Sequence, residues 1–328
     1  MKILITGGLG FIGSHLAENL IKQNHEIILL TKSLSKKHNI SNFKNRVKII
    51  QANITNYSKL GKIIEYEKPQ IIVHLAGETS HSKSFENPLY DIDSNAKSTL
   101  FILEKIRSLG IKCRFILGST FIVVGRPSKL PVNEKTPCNP TTLYGINRLS
   151  GEHFCKVYNT MYNLDCLVFR ITNSFGPREQ YLTKKNAINY LLYKAFTGQD
   201  VTIFHKGKFF RDLIYISDVI SGIRTIIFKG KSGELYWISS SKKTWFYQLG
   251  SWLSELTNSQ IKYVKTPTYT QKVDVGNFVV SNSKLRALGW KPKSLLKREL
   301  KKLLNILLQK NNSHLLFFKY FSNNFQMN

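Results

Sequence analysis

Acidic residues are few in this chain: 20 Asp and Glu stand against 48 Lys and Arg, a formal charge of +28 over 328 residues. That imbalance favours anionic partners and speeds their encounter. Nucleic acid, anionic lipid and nucleotide substrates all fit it. The basic residues are scattered, however, and form no helix-turn-helix, zinc-finger or RNA-binding signature, so no specific nucleic-acid partner is expected. A solvated basic surface accounts for most of the charge. Cysteine is also scarce: Cys113, Cys138, Cys155 and Cys166 show no C-x-x-C pairing and no metal-ligand spacing, so no metal site is expected. No apolar run reaches the length of a membrane span, and Met1-Lys2-Ile3 leads directly into a strand. Neither a transmembrane segment nor a signal peptide is expected, which places the protein in the cytoplasm.

What is present is a globular composition, 42% hydrophobic, and a glycine-rich opening, MKILITGGLGFIG. Met1 to Ile5 reads as a buried strand. Phe11 to Ile21 reads as a helix with Ile12, Leu16, Leu20 and Ile21 on one face. Gly7, Gly10 and Gly13 lie between them. A glycine turn that joins a strand to a helix brings backbone N–H groups and a helix N-terminus against a pyrophosphate. The motif is weak alone, but this strand–turn–helix context is the one it requires.

Strands then alternate with helices. Strands are expected at 26–31, 47–50, 71–75, 115–118 and 166–170, and helices at 58–66, 89–109 and 144–162. This alternation implies a doubly wound parallel sheet of the Rossmann type, α/β in class, with ligands at the carboxyl ends of its strands. Beyond Asn173 the pattern loosens into a smaller mixed α/β lobe. It holds helices at 186–197, 219–228 (capped by Ser217-Asp218), 246–256 and 294–308, and a strand at 201–204. The expected organisation is 1–172 for the dinucleotide domain and 173–310 for the substrate lobe, with about 206–238 returning to the first domain. The tail, 311–328, contains Leu315-Leu316-Phe317-Phe318. A loosely packed tail is the simplest reading, with weak peripheral membrane contact as the alternative.

Tyr144 and Arg148 are four residues apart and share a helix face. A cation there favours the phenolate and lowers the tyrosine pKa from its usual value of about 10. Thr120, at a strand end, can bond the same substrate oxygen. Such a group can take a proton from an alcohol while hydride leaves to a nicotinamide. Without the glycine turn, the pair would be an ordinary amphipathic spacing.

His74-Leu75-Ala76-Gly77, Glu86-Asn87-Pro88, Asn95, Ser119-Thr120, Tyr144-x-x-x-Arg148-x-x-x-Glu152, Arg170-x-x-Asn173-x-x-Gly176-Pro177, Arg211-Asp212 and Leu288-Gly289-Trp290 follow one another in order. Together with the glycine turn, this series resembles the extended short-chain dehydrogenase/reductases, in particular the nucleotide-sugar epimerases and dehydratases, over about residues 1–292. The resemblance implies an NAD(P)-dependent enzyme of nucleotide-diphosphate sugars, a homodimer that packs long helices together. It implies catalysis by Thr120, Tyr144 and Arg148. Gly7, Gly10, Phe11, Ile12 and Gly13 would hold the pyrophosphate, Thr31 and Lys32 the adenosine ribose, and Asn53 and Ile54 the adenine. Leu75, Ala76, Gly77 and Asn95, with Tyr144 and Arg148, would complete the cofactor contacts. Ser119, Thr120, Asn173, Ile203, Arg211 and Lys272 would meet the substrate.

Four departures refine this. Arg148 stands where the family has Lys, an exchange that is not conservative. It leaves a non-catalytic NAD(P)-binding protein as the alternative class. Leu30-Thr31-Lys32-Ser33 has a cation where NAD enzymes often have Asp, which favours NADP. Phe121-Ile122 replaces the acidic pair of the 4,6-dehydratases, which favours epimerisation, with a keto-reductase as its rival. Lys272 lies close to where an Arg often serves the substrate phosphate.

Overall fold

The structure is a computed structural model, and it describes residues 1–179 and 187–311. The tail from 312 lies outside the described residues. In the first half the elements are β1 (Lys2–Thr6), α1 (Phe11–Ile21), β2 (Glu26–Thr31), β3 (Lys48–Gln51), α2 (Tyr57–Glu67) and β4 (Ile71–His74). Then come α3 (His81–Glu86), α4 (Pro88–Ile92), a π-turn (Asp93–Lys97), α5 (Ser98–Leu109), β5 (Arg114–Thr120), α6 (Leu143–Tyr162) and β6 (Cys166–Ile171). The second half holds β7 (Asn173–Phe175), α7 (Ala187–Phe196), β8 (Val201–Phe204), β9 (Phe210–Arg211), β10 (Leu213–Tyr215) and α8 (Ile216–Lys229). It ends with β11 (Leu235–Ile238), β12 (Thr244–Trp245), α9 (Phe246–Thr257), β13 (Ile261–Val264), α10 (Thr268–Val273), α11 (Ser283–Arg286) and α12 (Leu296–Asn311).

Seven strands form the central sheet in the order β11-β6-β5-β4-β1-β2-β3, and every pairing is parallel. Alternate side chains face opposite layers. Ile3, Ile5 and Leu29 meet Leu16 and Leu20 of α1 and Ile223 and Ile226 of α8. Leu4, Ile28 and Ile72 meet Leu60 and Ile64 of α2 and Ile102 and Ile106 of α5. Chain order reverses at β1, which lies between β2 and β4, so a crevice opens there at the carboxyl ends. A third core gathers α7, α9 and α12 around Val201 and Ile203 of β8. Around it lie three two-stranded pairs, β10-β7, β12-β9 and β13-β8.

Three differences from the sequence reading have physical causes. The helix expected at 219–228 begins at Ile216, and Ser217-Asp218 is not its cap. Asp218 lies in the first turn, and its carboxylate accepts the backbone N–H groups of Lys293 and Ser294 at 3.0 and 2.9 Å. It ties α8 to the segment before α12 instead. The helix expected at 89–109 is interrupted by the π-turn, which rotates Asn95 relative to α5. Its start is fixed by Asn87, whose side chain accepts from Tyr90 N–H, and by Pro88 in the first turn. β11, which the sequence reading did not place, is fixed by its parallel pairing with β6 at the edge of the sheet.

Candidate active site

The glycine turn is tight for a steric reason. Gly7 has φ +69°, and a Cβ on Gly13 would lie 2.4 Å from the Gly7 carbonyl oxygen. Gly10 caps α1 with no side-chain hydrogen bond, so the first helical N–H groups are left open to a ligand. The turn forms one wall of a cleft of about 430 Å³. Gly7, Gly10, Phe11, Ile12 and Gly13 line it at one end, with Thr31, Lys32, Asn53 and Ile54 beyond them. Leu75, Ala76, Gly77, Ser119, Thr120, Tyr144, Arg148 and Asn173 complete it. Asn95 adjoins it through its hydrogen bond with Arg148. The cleft brings together most of the residues singled out from sequence, from widely separated parts of the chain.

The floor of the cleft is rigid. Thr6 Oγ1 accepts the backbone N–H groups of Leu75 and Ala76 at 3.1 and 3.0 Å. Its own hydroxyl is then left to donate to His74 Nδ1 at 2.8 Å. Burial holds the His74 pKa down to about 3, so the ring is neutral and its Nε2–H faces Ser98 Oγ at 3.3 Å.

Tyr144 corrects the expectation of a lowered pKa. Burial raises it from the ordinary phenol value and outweighs the lowering by the Arg148 charge and by the hydrogen bond with Thr120. Spacing along a helix revealed the cation but not the desolvation. Arg148 is itself buried, with Nη1 donating to Asn95 Oδ1 at 3.4 Å and Nε without a hydrogen-bond partner. Ser119 donates to Glu152 Oε1 at 2.5 Å, and Arg170 grips the same carboxylate, with Nη2 to Oε2 at 2.6 Å. The Ser119 proton therefore points away from the cleft.

At the far end, Ser33, Ser35 and Lys36 line the cleft beside Thr31 and Lys32. Lys32 Nζ sits 5.8 Å above the Tyr90 ring. Thr31 Oγ1 donates to the Ser33 carbonyl at 2.9 Å, and the Ser35 N–H donates to Ser33 Oγ at 3.1 Å. No carboxylate ends β2. Reading by motif stopped at Ser33 and missed Ser35, Lys36 and Tyr90, although the first two lie just beyond it.

Ile203, Arg211 and Lys272 are not among the residues lining the cleft. Ile203 is buried in the core of the small lobe, with α9 held close through Gly250. Arg211 pairs with Asp274 at 2.5 Å and also donates to the Gly276 carbonyl. Lys272 is exposed on α10. Asp212 does not pair with Arg211. Its carboxylate accepts from Ser240, Ser241 and Val280, and burial pushes its pKa up to about 6.

The family model described as the NAD dependent epimerase/dehydratase family matches residues 3–239. The chain belongs to this family. It is 30% identical over 305 residues to a putative UDP-glucose 4-epimerase of Methanocaldococcus jannaschii, covering 92% of this chain and 97% of that one. It is similar to the crystal structure of UDP-glucose 4-epimerase with UDP-glucose from Thermotoga maritima, at 28% identity and a TM-score of 0.86, over 94% and 99% of the two chains. It is also similar to UDP-glucuronic acid 4-epimerase from Bacillus cereus in complex with UDP-glucuronic acid and NAD, at 26% identity and a TM-score of 0.83, over 94% and 99%.

Family membership makes the chain an NAD-dependent enzyme of the epimerase/dehydratase type. Two features fit such a cofactor: a cradle that a Cβ would fill at Gly13, and a buried guanidinium with an unpartnered N–H at Arg148. When bound, the nicotinamide supplies a hydride acceptor.

Proposed function

We propose that the protein is a nucleotide-sugar epimerase that oxidises a sugar hydroxyl transiently and returns hydride to the opposite face of the keto-sugar. The observation that carries this reading is the convergence of Thr120, Tyr144 and Arg148 in one cleft, with Phe121 and Ile122 directly after Thr120. Thr120 orients the sugar hydroxyl, Tyr144 takes and returns its proton, and Arg148 stabilises the phenolate and holds the cofactor ribose. Water elimination needs an additional acid and base, and the two side chains beside Thr120 are apolar. The same triad also serves a keto-reductase, which the cofactor balance separates from an epimerase.

NADP is the preferred cofactor on this reading, because Lys32 and Lys36 with Ser33 and Ser35 suit a 2′-phosphate. Residues 1–172 would hold the cofactor and 173–310 the sugar nucleotide. Arg211 would serve the diphosphate only after exchanging Asp274 for it. A homodimer accounts for Leu89, Ile92, Val157 and Met161, apolar side chains exposed on α4 and α6.

The test supplies UDP-glucose to the purified protein and follows both UDP-galactose and cofactor absorbance. Product without net NAD(P)H change supports epimerisation. Stoichiometric NADPH consumption with a keto-sugar identifies a reductase. Tight NAD found on the purified protein overturns the NADP preference.

A further inference from the structure

Asp91 is fully buried on α4, one helical turn before Asn95. Each of its oxygens accepts from a side-chain amide: Oδ1 from Asn95 Nδ2 at 3.1 Å, and Oδ2 from Asn147 Nδ2 at 2.7 Å. A carboxylate can only accept. The group that Asn95 turns toward it must be the NH₂, which leaves the Asn95 carbonyl facing the other way. That carbonyl receives Arg148 Nη1 at 3.4 Å, and the same Asn95 amide also donates to the Glu78 carbonyl at 3.1 Å. Asp91 and the Glu78 carbonyl, both acceptors only, thus hold the Asn95 carboxamide in one orientation, with its oxygen toward Arg148.

The row answers a need specific to this chain. A lysine ammonium is a compact charge with rotating donors, whereas a guanidinium is a planar fork that must be aimed. Arg148 is buried, and its bond to Asn95 goes to a neutral carboxamide. A buried cation without a counter-charge is costly. Asp91 supplies the counter-charge one amide away. Close approach is possible because residue 77 is glycine: a Cβ there would lie 2.2 Å from Asn95 Oδ1 and 3.2 Å from Arg148 Nη1. The π-turn places Asn95 within this row.

We propose that Asp91 is the positioning residue for the guanidinium of Arg148, acting through the Asn95 carboxamide, with Asn147 fixing the carboxylate from the other side. The inference rests on the reading of Arg148 as a cofactor ligand and does not depend on which sugar reacts.

Affinity for NADH and NADPH, read by fluorescence on the full chain with no sugar present, tests it. Asp91→Asn removes the counter-charge and leaves one acceptor oxygen for the two amide donors of Asn95 and Asn147, so affinity falls about tenfold. Adding Asn147→Asp restores the alternation of donors and acceptors and recovers most of the loss. In an Arg148→Met background, Asp91→Asn has no further effect. If Asp91→Asn does not fold, Asn147→Ala probes the other end of the row, with a several-fold loss that also vanishes in Arg148→Met. Unchanged affinity, a loss that the exchange does not recover, or one that persists at full size in Arg148→Met overturns the proposal. Arg148→Met without effect on its own overturns both the proposal and the cofactor-ligand reading. Absence of epimerisation, with the affinities behaving as expected, counts only against the proposed reaction.

Discussion

His74 shows how a single buried side chain couples the cleft to solution conditions. Its folded pKa is about 3 against an ordinary 6.5, and the cause is burial first and the Arg148 charge second. The unfolded chain therefore binds this proton below pH 6.5 while the folded chain refuses it. The stability concerned is fully present above pH 6.5 and is lost as pH falls toward 3. Between pH 7 and 5 the term amounts to about 2 kcal/mol. His74→Gln keeps one donor and one acceptor but does not titrate. In urea denaturation, its disadvantage relative to the parent should shrink by about 2 kcal/mol over that range, and a constant difference would refute the assignment. Tyr144 makes the complementary point. Tyr144→Phe removes the proton carrier but little volume, so turnover should fall by about 10²-fold or more while the melting temperature stays near the parent's. Equal turnover in the two proteins would remove Tyr144 from the chemistry. The spacing of Tyr144 and Arg148 was legible in the sequence. The sign of the tyrosine shift was not, because desolvation depends on residues far apart in the chain. The ion pair of Arg211 was not legible for the same reason: its partner Asp274 is 63 residues away.

At the scale of elements, the glycine turn makes the sharpest claim. A methyl on Gly13 meets the Gly7–Gly8 peptide, Gly7 O at 2.4 Å and Gly8 Cα at 2.9 Å. Backbone cannot give way as a flexible side chain can, so β1 and α1 must separate. Gly13→Ala should therefore lower the melting temperature by several degrees and weaken NADH binding more than tenfold. Gly110→Ala is the control for a left-handed glycine at a helix end: its Cβ meets nothing within 4 Å, although its φ of +60° still strains alanine. It should lose some stability and no cofactor affinity. Cofactor affinity unchanged in Gly13→Ala would show that the turn does not cradle the pyrophosphate. The elements easiest to read were those whose own residues specify them, such as the apolar face of α1, the apolar run of β2 and α6, where the Thr142 cap agrees with the apolar period. The π-turn escaped because nothing in Asp93-Ser94-Asn95-Ala96-Lys97 forbids an ordinary helix. β11 was not placed from the sequence; its register with β6 holds it at the edge of the sheet.

At the scale of the whole molecule, sheet order and charge act together. The crossover from β3 to β4, on the other side of β1, puts the cleft at the carboxyl ends of the strands, and the described residues that line it run from Gly7 to Glu179. Alternation of strands and helices was enough to read the parallel sheet, whereas the pairing of the short strands β7 to β13 was invisible without long-range contacts. The excess of 28 positive charges remains to be given a role. It is spread over the surface, so its field acts on encounter more than on any one contact. A nucleotide-diphosphate sugar is an anion, and a positive field concentrates it at the cleft. Salt screens that field over about 8–10 Å at physiological strength but leaves buried pairs such as Glu152–Arg170 nearly untouched. Raising ionic strength from about 0.01 M to about 0.3 M, across which the Debye length falls several-fold, should then raise KM for the sugar nucleotide several-fold and leave kcat unchanged. Steady-state kinetics at fixed pH over that range decide it. A KM indifferent to salt would mean that the basic surface serves another partner, and a falling kcat would mean that salt reaches the buried network around Arg148.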